Sequence, residues 1–281
     1  MRLILLFVFF TNYLFAIINA PLHTNITSVN EQEISTPTVE GAQVGMYGAI
    51  VHWFDETHAT ALSWVEIKKI DEDGITLTMA PILALEQSAL PSGRWVPKIG
   101  DEVILGYNYQ RGLLIAPNSN IYKKITHYHQ DRSWVHPDIF ATTLSSNGHP
   151  TPLREDFTAV CRANNIGIVS FMFDKSIITV DCHSFKILQN KSTSVKADDP
   201  QLPFYSRVTN IEANWFGEGS DELEEYSPHY IELIAENNPG NEWIHTYKTK
   251  REQATMGEDE SWFDSIFKMK RVNDNEYDDN N

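Results

Sequence analysis

Two cysteines, a knot of histidines and a few lysines set beside acids are the residues in this chain with chemistry to offer. Cys161 and Cys182 are its only cysteines. In an oxidising compartment a small, even number of thiols pairs. Closing a loop of about 20 residues stabilises a fold by roughly 3 kcal/mol. The alternative is two buried free thiols in a core; the disulfide is the favoured reading. His183 follows Cys182 directly, but a cysteine nucleophile needs a base placed by the fold and a lowered pKa, so both cysteines read as structural. His127, His129 and His136 fall within ten residues. On a strand His-x-His points both rings one way, and with Asp131 would hold zinc or copper. On a helix positions i and i+2 diverge, and Asn120–Tyr128 has helical character. These histidines therefore read as solvated, and neither metal nor cofactor is expected. The phosphate-binding glycine loop, the zinc-protease pair, the hydrolase elbow and the paired-cysteine zinc motif are all missing. No catalytic residue is assigned, and the chain reads as a non-enzyme.

The elements that must position these residues come in two styles. Gly48–Phe54, Thr60–Ile70, Gly74–Ile82, Asp101–Tyr109 and Gly112–Asn118 are short runs rich in β-branched and aromatic residues. Asp71–Gly74 is a tight-turn signal between two of them. About five such strands predict a small β-barrel-like subdomain over residues 42–118. The next stretch, 119–237, predicts an α+β subdomain. Asn120–Tyr128, Pro137–Leu144 and Leu153–Asn164 read as helices, the last with Leu153, Phe157, Val160 and Cys161 at helical spacing. Ile166–Phe173 and Ser176–Cys182 read as a β-hairpin turning at Asp174-Lys175, with His183–Leu188 extending its second strand. Lys191–Pro203 reads as a linker, Phe204–Trp215 as another strand, and Ser220–Asn237 as a helix interrupted at Pro228. The fold class expected is α+β.

The ends read differently. Residues 1–20 have Arg2, then an apolar run with Ala16 and Ala20, the layout of a secretory signal peptide; the alternative is an uncleaved anchor. No later segment is apolar enough to span a membrane, so the expected location is periplasm, outer surface or medium. Polar residues 21–41 read as a flexible leader. Residues 238–281 read as a mostly disordered acidic tail, with nine acids and four bases from Arg251 onward. Within it, residues 261–270 place Trp262 and Phe267 on one face of a short amphipathic segment, which either folds back on the body or docks a partner. The formal charge is −16, and −17 without residues 1–20, where Arg2 is the one charged residue. Such a surface repels nucleic acid and anionic lipid.

Four blocks carry a resemblance: AQVGMYGAIV (Ala42–Val51), GDEVILGYNYQRGLLIAPN (Gly100–Asn118), the Cys161–Cys182 span followed by CHSFKIL, and PFYSRV (Pro203–Val208). Their order and spacing resemble the N-terminal domain of the bacterial plasminogen-binding surface proteins, over roughly Val44 to Asn237. The resemblance implies an envelope or surface protein with plasminogen as a partner. Plasminogen's kringle modules grip a lysine, most simply a C-terminal one, whereas this sequence finishes Asp278-Asp279-Asn280-Asn281. The grip would then fall to internal lysines near acids, Lys248 and Lys250 or Lys268 and Lys270. The rival expectation is a periplasmic scaffold or assembly adaptor that binds no plasminogen.

Overall fold

The computed structural model describes residues 20–82 and 95–249. Its first sheet is built from β1 (Leu22–Asn25), β2 (Ser28–Val29), β3 (Glu33–Thr36), β4 (Tyr47–Trp53), β5 (Ala59–Asp71), β6 (Gly74–Ala80) and β7 (Glu102–Leu105). These seven strands lie in the order β1-β7-β4-β5-β6-β3-β2, and every pairing is antiparallel. The sheet curls into half a barrel. Its ladder slips between Ile50 and Val51 and again between Ile67 and Lys69, and bulges of this kind increase local bend and twist. The concave core takes every second residue: Ile50, Val65, Ile67, Ile75, Leu77, Val103 and Leu105.

The second sheet uses β8 (Arg111–Ile115), β9 (Ser133–Val135), β10 (Ile168–Phe173), β11 (Ser176–Asp181) and β12 (Ile187–Ser192), in the order β12-β11-β10-β8-β9. The β9–β8–β10 pairings are parallel and the remaining two antiparallel. Between these strands run α1 (Ser119–Tyr128), α2 (Pro137–Asn147) and α3 (Arg154–Asn164), and α4 (Tyr226–Asn237) follows them. Each helix start has a local cause. Asn118 accepts the Ile121 amide at 3.0 Å to cap α1, His136 accepts the Asp138 amide at 3.2 Å ahead of Pro137 in α2, and Asp156 accepts the Leu153 amide at 2.8 Å at the start of α3. Pro228 sits in the first turn of α4, where a missing N–H costs nothing, so the helix runs on uninterrupted.

The fold is α+β, with four further differences from the sequence expectation. Residues 21–41, expected as a flexible leader, supply three strands. Their apolar residues are few, but Ile26 and Ile34 are fully buried in the first core, and Thr24 and Thr36 are buried as well. Gly112–Asn118, expected as a fifth barrel strand, leaves that sheet: Gly112 to Ile115 are buried on both faces, which suits a central parallel strand. His183–Leu188 does not extend β11. Asp181 Oδ1 accepts the amides of His183 and Ser184, both at 2.8 Å, Phe185 takes φ 60°, and the chain folds back as β12. Phe204–Trp215 forms no strand; its polar groups are met by other elements, as when Asp138 takes the Arg207 amide at 2.8 Å and Arg207 Nε at 2.6 Å.

The chain divides into two compact units, residues 1–230 and 231–281. In the second, a helix over 242–249 stacks Trp243 on Tyr247 at 6.0 Å. Among the described residues no helix is long and apolar enough to cross a membrane.

Candidate functional site

One face of the mixed sheet is sealed and the other is partly open. On the sealed face Phe171 meets Phe157 of α3 at 5.5 Å, and Phe157 meets Phe140 of α2 at 4.5 Å. Phe185 and Tyr230 complete this aromatic core. On the other face Leu114 and Met172 pack against Ile121 and Ile125 of α1. A ten-residue helix is about 15 Å long and 10 Å across, whereas five strands span about 19 Å. α1 therefore cannot cover the whole face, and the β11–β12 side keeps an open cleft of about 750 Å³.

Strand register decides what lines that cleft. Ser170 lies opposite Thr179, Thr179 opposite Gln189, and Ile177 opposite Lys191, so all five share a face. The Ser170 and Thr179 hydroxyls hydrogen-bond to each other at 3.0 Å on the floor. The end wall is the last turn of α1 and the segment after it. There Trp134 Nε1 donates to the His129 carbonyl at 3.0 Å, and the Arg132 guanidinium lies over the Trp134 ring at 5.5 Å. A β-carbon at Gly112 would stand 3.1 Å from both Arg132 Cδ and Trp134 Cζ3; glycine lets this stacked pair lie close against β8. Burial first, and then the charge of Lys191, holds the His129 imidazole below its ordinary pKa. Burial also lowers Arg132, against the opposing pull of Asp131. The arrangement can bind: it offers an apolar wall, a cationic edge and amide groups.

A second constellation joins the two sheets. Asp181 is fully buried at the end of β11. Its Oδ2 accepts the Tyr109 hydroxyl at 2.7 Å and the Tyr47 amide at 3.1 Å, while Oδ1 takes the amides of His183 and Ser184. Burial pushes its carboxyl up, and these donors pull it back in part. Next to it His183 stacks on Tyr47 at 4.2 Å, and burial, with Arg162 and Arg154, holds its imidazole down to about 4. This is a fixed polar clamp, since every polar atom of Asp181 is taken up inside the protein.

The residues singled out from sequence scatter. Cys161 of α3 and Cys182 after β11 stand joined, with Cα atoms 6.1 Å apart. The three histidines go to separate tasks: His127 lies exposed on α1, His129 borders the cleft and His136 caps α2. Among the described residues no group of histidine, cysteine and acid is gathered for a metal ion. Lys248 is exposed on the helix over 242–249. Lys250, Trp262, Phe267, Lys268 and Lys270 lie outside the described residues, as does the segment 261–270. The cleft itself escaped sequence reasoning. Trp134 and Lys191 are 57 positions apart and border one cleft only through the strand order β12-β11-β10-β8-β9, which sets them on its opposite edges. The one local signal is Trp134 in a three-residue strand, beside an arginine.

Residues 21–234 match the family described as plasminogen-binding protein PgbA, N-terminal. Among curated proteins, the plasminogen-binding protein PgbA of Helicobacter pylori strain J99 is 25% identical over 218 residues, 76% of this chain and 48% of that protein. The PgbA of strain 26695 is 25% identical over 218 residues, covering 47% of its length. The chain thus spans about half the length of the curated relatives it matches. No solved structure matches it.

Proposed function

We propose that this chain, which belongs to the plasminogen-binding protein PgbA N-terminal family, is an exported, non-enzymatic binding protein of the cell envelope or surface that engages plasminogen through internal lysines. The family match across residues 21–234 carries this reading. A kringle module recognises an ammonium group with a carboxylate nearby, so an exposed lysine on a helix is a suitable target. Lys248 is exposed, and Lys250 and Glu252 follow it in sequence. The relatives' length favours a second reading. About half of each lies beyond the aligned part, so the plasminogen grip can reside there, which would leave this domain as an envelope scaffold or assembly adaptor.

Surface plasmon resonance on immobilised plasminogen separates the two. The first reading expects saturable binding that a free lysine analogue competes away and that the double change Lys248→Ala, Lys250→Ala weakens at least fivefold. Saturable binding untouched by the analogue would refute the kringle mechanism. An absence of binding, together with protection from external protease on intact cells, would establish the scaffold reading instead.

A further inference from the structure

We infer that the cleft beside α1 is a binding site for an anionic amphiphile, a ligand with an apolar body and one carboxylate-like end. Three observations converge on it. The first is incomplete cover: α1 buries Leu114 and Met172 but leaves Ile177 and Trp134 only partly buried at the edge of a space of about 750 Å³, a volume typical of small-molecule sites. The second is charge. The chain carries 38 acidic against 22 basic residues, yet Arg132 and Lys191 border this cleft and Asp131 is the single acid among its described lining residues. Among the described residues Lys191 has no ion-pair partner. The third is arrangement. Lys191 and Ile177 are cross-strand neighbours on one face, which sets a cation directly beside the apolar wall. Arg132 is held over Trp134, which keeps a second positive charge on the end wall of the cleft. An apolar chain lying along Ile177 and Trp134 brings its charged end to Lys191, with Gln189 as an added hydrogen-bond group. A neutral apolar ligand would leave that cation unused, and a small hydrophilic anion would leave the apolar wall wet.

The site is tested on the oxidised chain with the fluorescent aromatic sulfonate 8-anilinonaphthalene-1-sulfonate as probe. One saturable site is expected, with decanoate displacing the probe at least tenfold better than decanol. Lys191→Glu should weaken decanoate at least fivefold without changing the thermal midpoint, because Lys191 is exposed; Lys191→Gln should give a smaller loss in the same direction. Trp215→Ala is the control: Trp215 is wholly exposed and does not line the cleft, so affinity should hold. Flotation with phosphatidylglycerol vesicles identifies the source of the ligand. Co-flotation abolished by Lys191→Glu points to a membrane lipid, and decanoate binding without co-flotation points to a free acid. Equal displacement by decanol, decanoate binding indifferent to both Lys191 variants, or no saturable binding at millimolar concentration would each overturn the inference.

Discussion

Replacing Asp181 with alanine should loosen the join between the two sheets by about 3 kcal/mol. Four donors converge on this carboxylate: the Tyr109 hydroxyl and the Tyr47 amide on Oδ2, the His183 and Ser184 amides on Oδ1. A buried donor left without an acceptor costs about 1–3 kcal/mol, so four would threaten most of the 5–15 kcal/mol that holds a typical domain together. Two effects reduce the sum. The Tyr47 amide keeps a partner, because the Tyr109 oxygen is also within 3.3 Å of it, and a hydroxyl rotates to find another acceptor. The carboxylate itself is disfavoured by burial, which raises its pKa, and that penalty leaves with the side chain. What remains is chiefly two orphaned amides and a small void, hence the figure of about 3 kcal/mol. Asp181→Asn is the informative companion: its carbonyl oxygen still serves the His183 and Ser184 amides, so it should lose less than half as much. The sign of the pH effect follows from the raised folded pKa. The contribution of Asp181 is fully present below the unfolded value near about 3.9 and declines as pH rises through the folded one. The wild type's margin over the alanine variant should therefore narrow as pH rises above about 4. Equilibrium urea unfolding of the oxidised chain measures all of this. An alanine variant within about 1 kcal/mol of wild type, or an asparagine variant as damaged as alanine, would refute the reasoning.

Three further outcomes are expected. His183 is held down to about 4, so it contributes stability above the ordinary value near about 6.5 that is lost as pH falls through 4, about 3 kcal/mol in all; His183→Gln should flatten the urea midpoint over that window, and the wild-type ring proton should show no NMR titration above pH 5. Thiol titration of the denatured, unreduced protein should find no free thiol, and the double change Cys161→Ala, Cys182→Ala, which opens a bridge across 21 residues, should cost about 3 kcal/mol. Gly148→Ala should cost about 2 kcal/mol in urea unfolding, because residue 148 has φ 73° and a β-carbon there would stand 2.2 Å from Asn214 Cγ.

The helices and the hairpin were legible because their signals are local. Leu153, Phe157, Val160 and Cys161 recur at helical spacing, and α3 forms over Arg154–Asn164; Asp174-Lys175 turns β10 into β11, with Lys175 at φ 58°. What escaped was set by partners remote in sequence. The LLIA run of β8 reads equally as a barrel strand or as a sheet centre, and its two parallel neighbours, β9 and β10, decide between them. Residues 21–41 look like a leader because composition weighs their polar majority, while the fold uses Ile26 and Ile34. Phe204 carries strand character, yet it stacks on Phe140 at 5.3 Å in the aromatic core, and the backbone after it makes one bond to the chain just past β8, from the Tyr205 amide to the Ala116 carbonyl at 2.8 Å, rather than a ladder. The cleft was the least legible part, since it is the area a short helix leaves uncovered.

The place of β1, β2 and β3 has a consequence for processing. β1 lies on the outer side of β7, while β3 and then β2 lie on the outer side of β6, so a single stretch of about fifteen residues closes both flanks of the half-barrel like the two ends of a clasp. Proteolytic trimming beyond Thr36 would open two vacancies at once, each a row of unpaired amides and carbonyls beside an apolar core. A vacancy of that kind accepts a donor strand, and the released or intact segment of another copy has the right sequence to fill it. Two vacancies on opposite flanks allow each molecule to accept at both sides, so trimmed chains mixed with intact ones should join into short linear runs, and added peptide 21–36 should cap them.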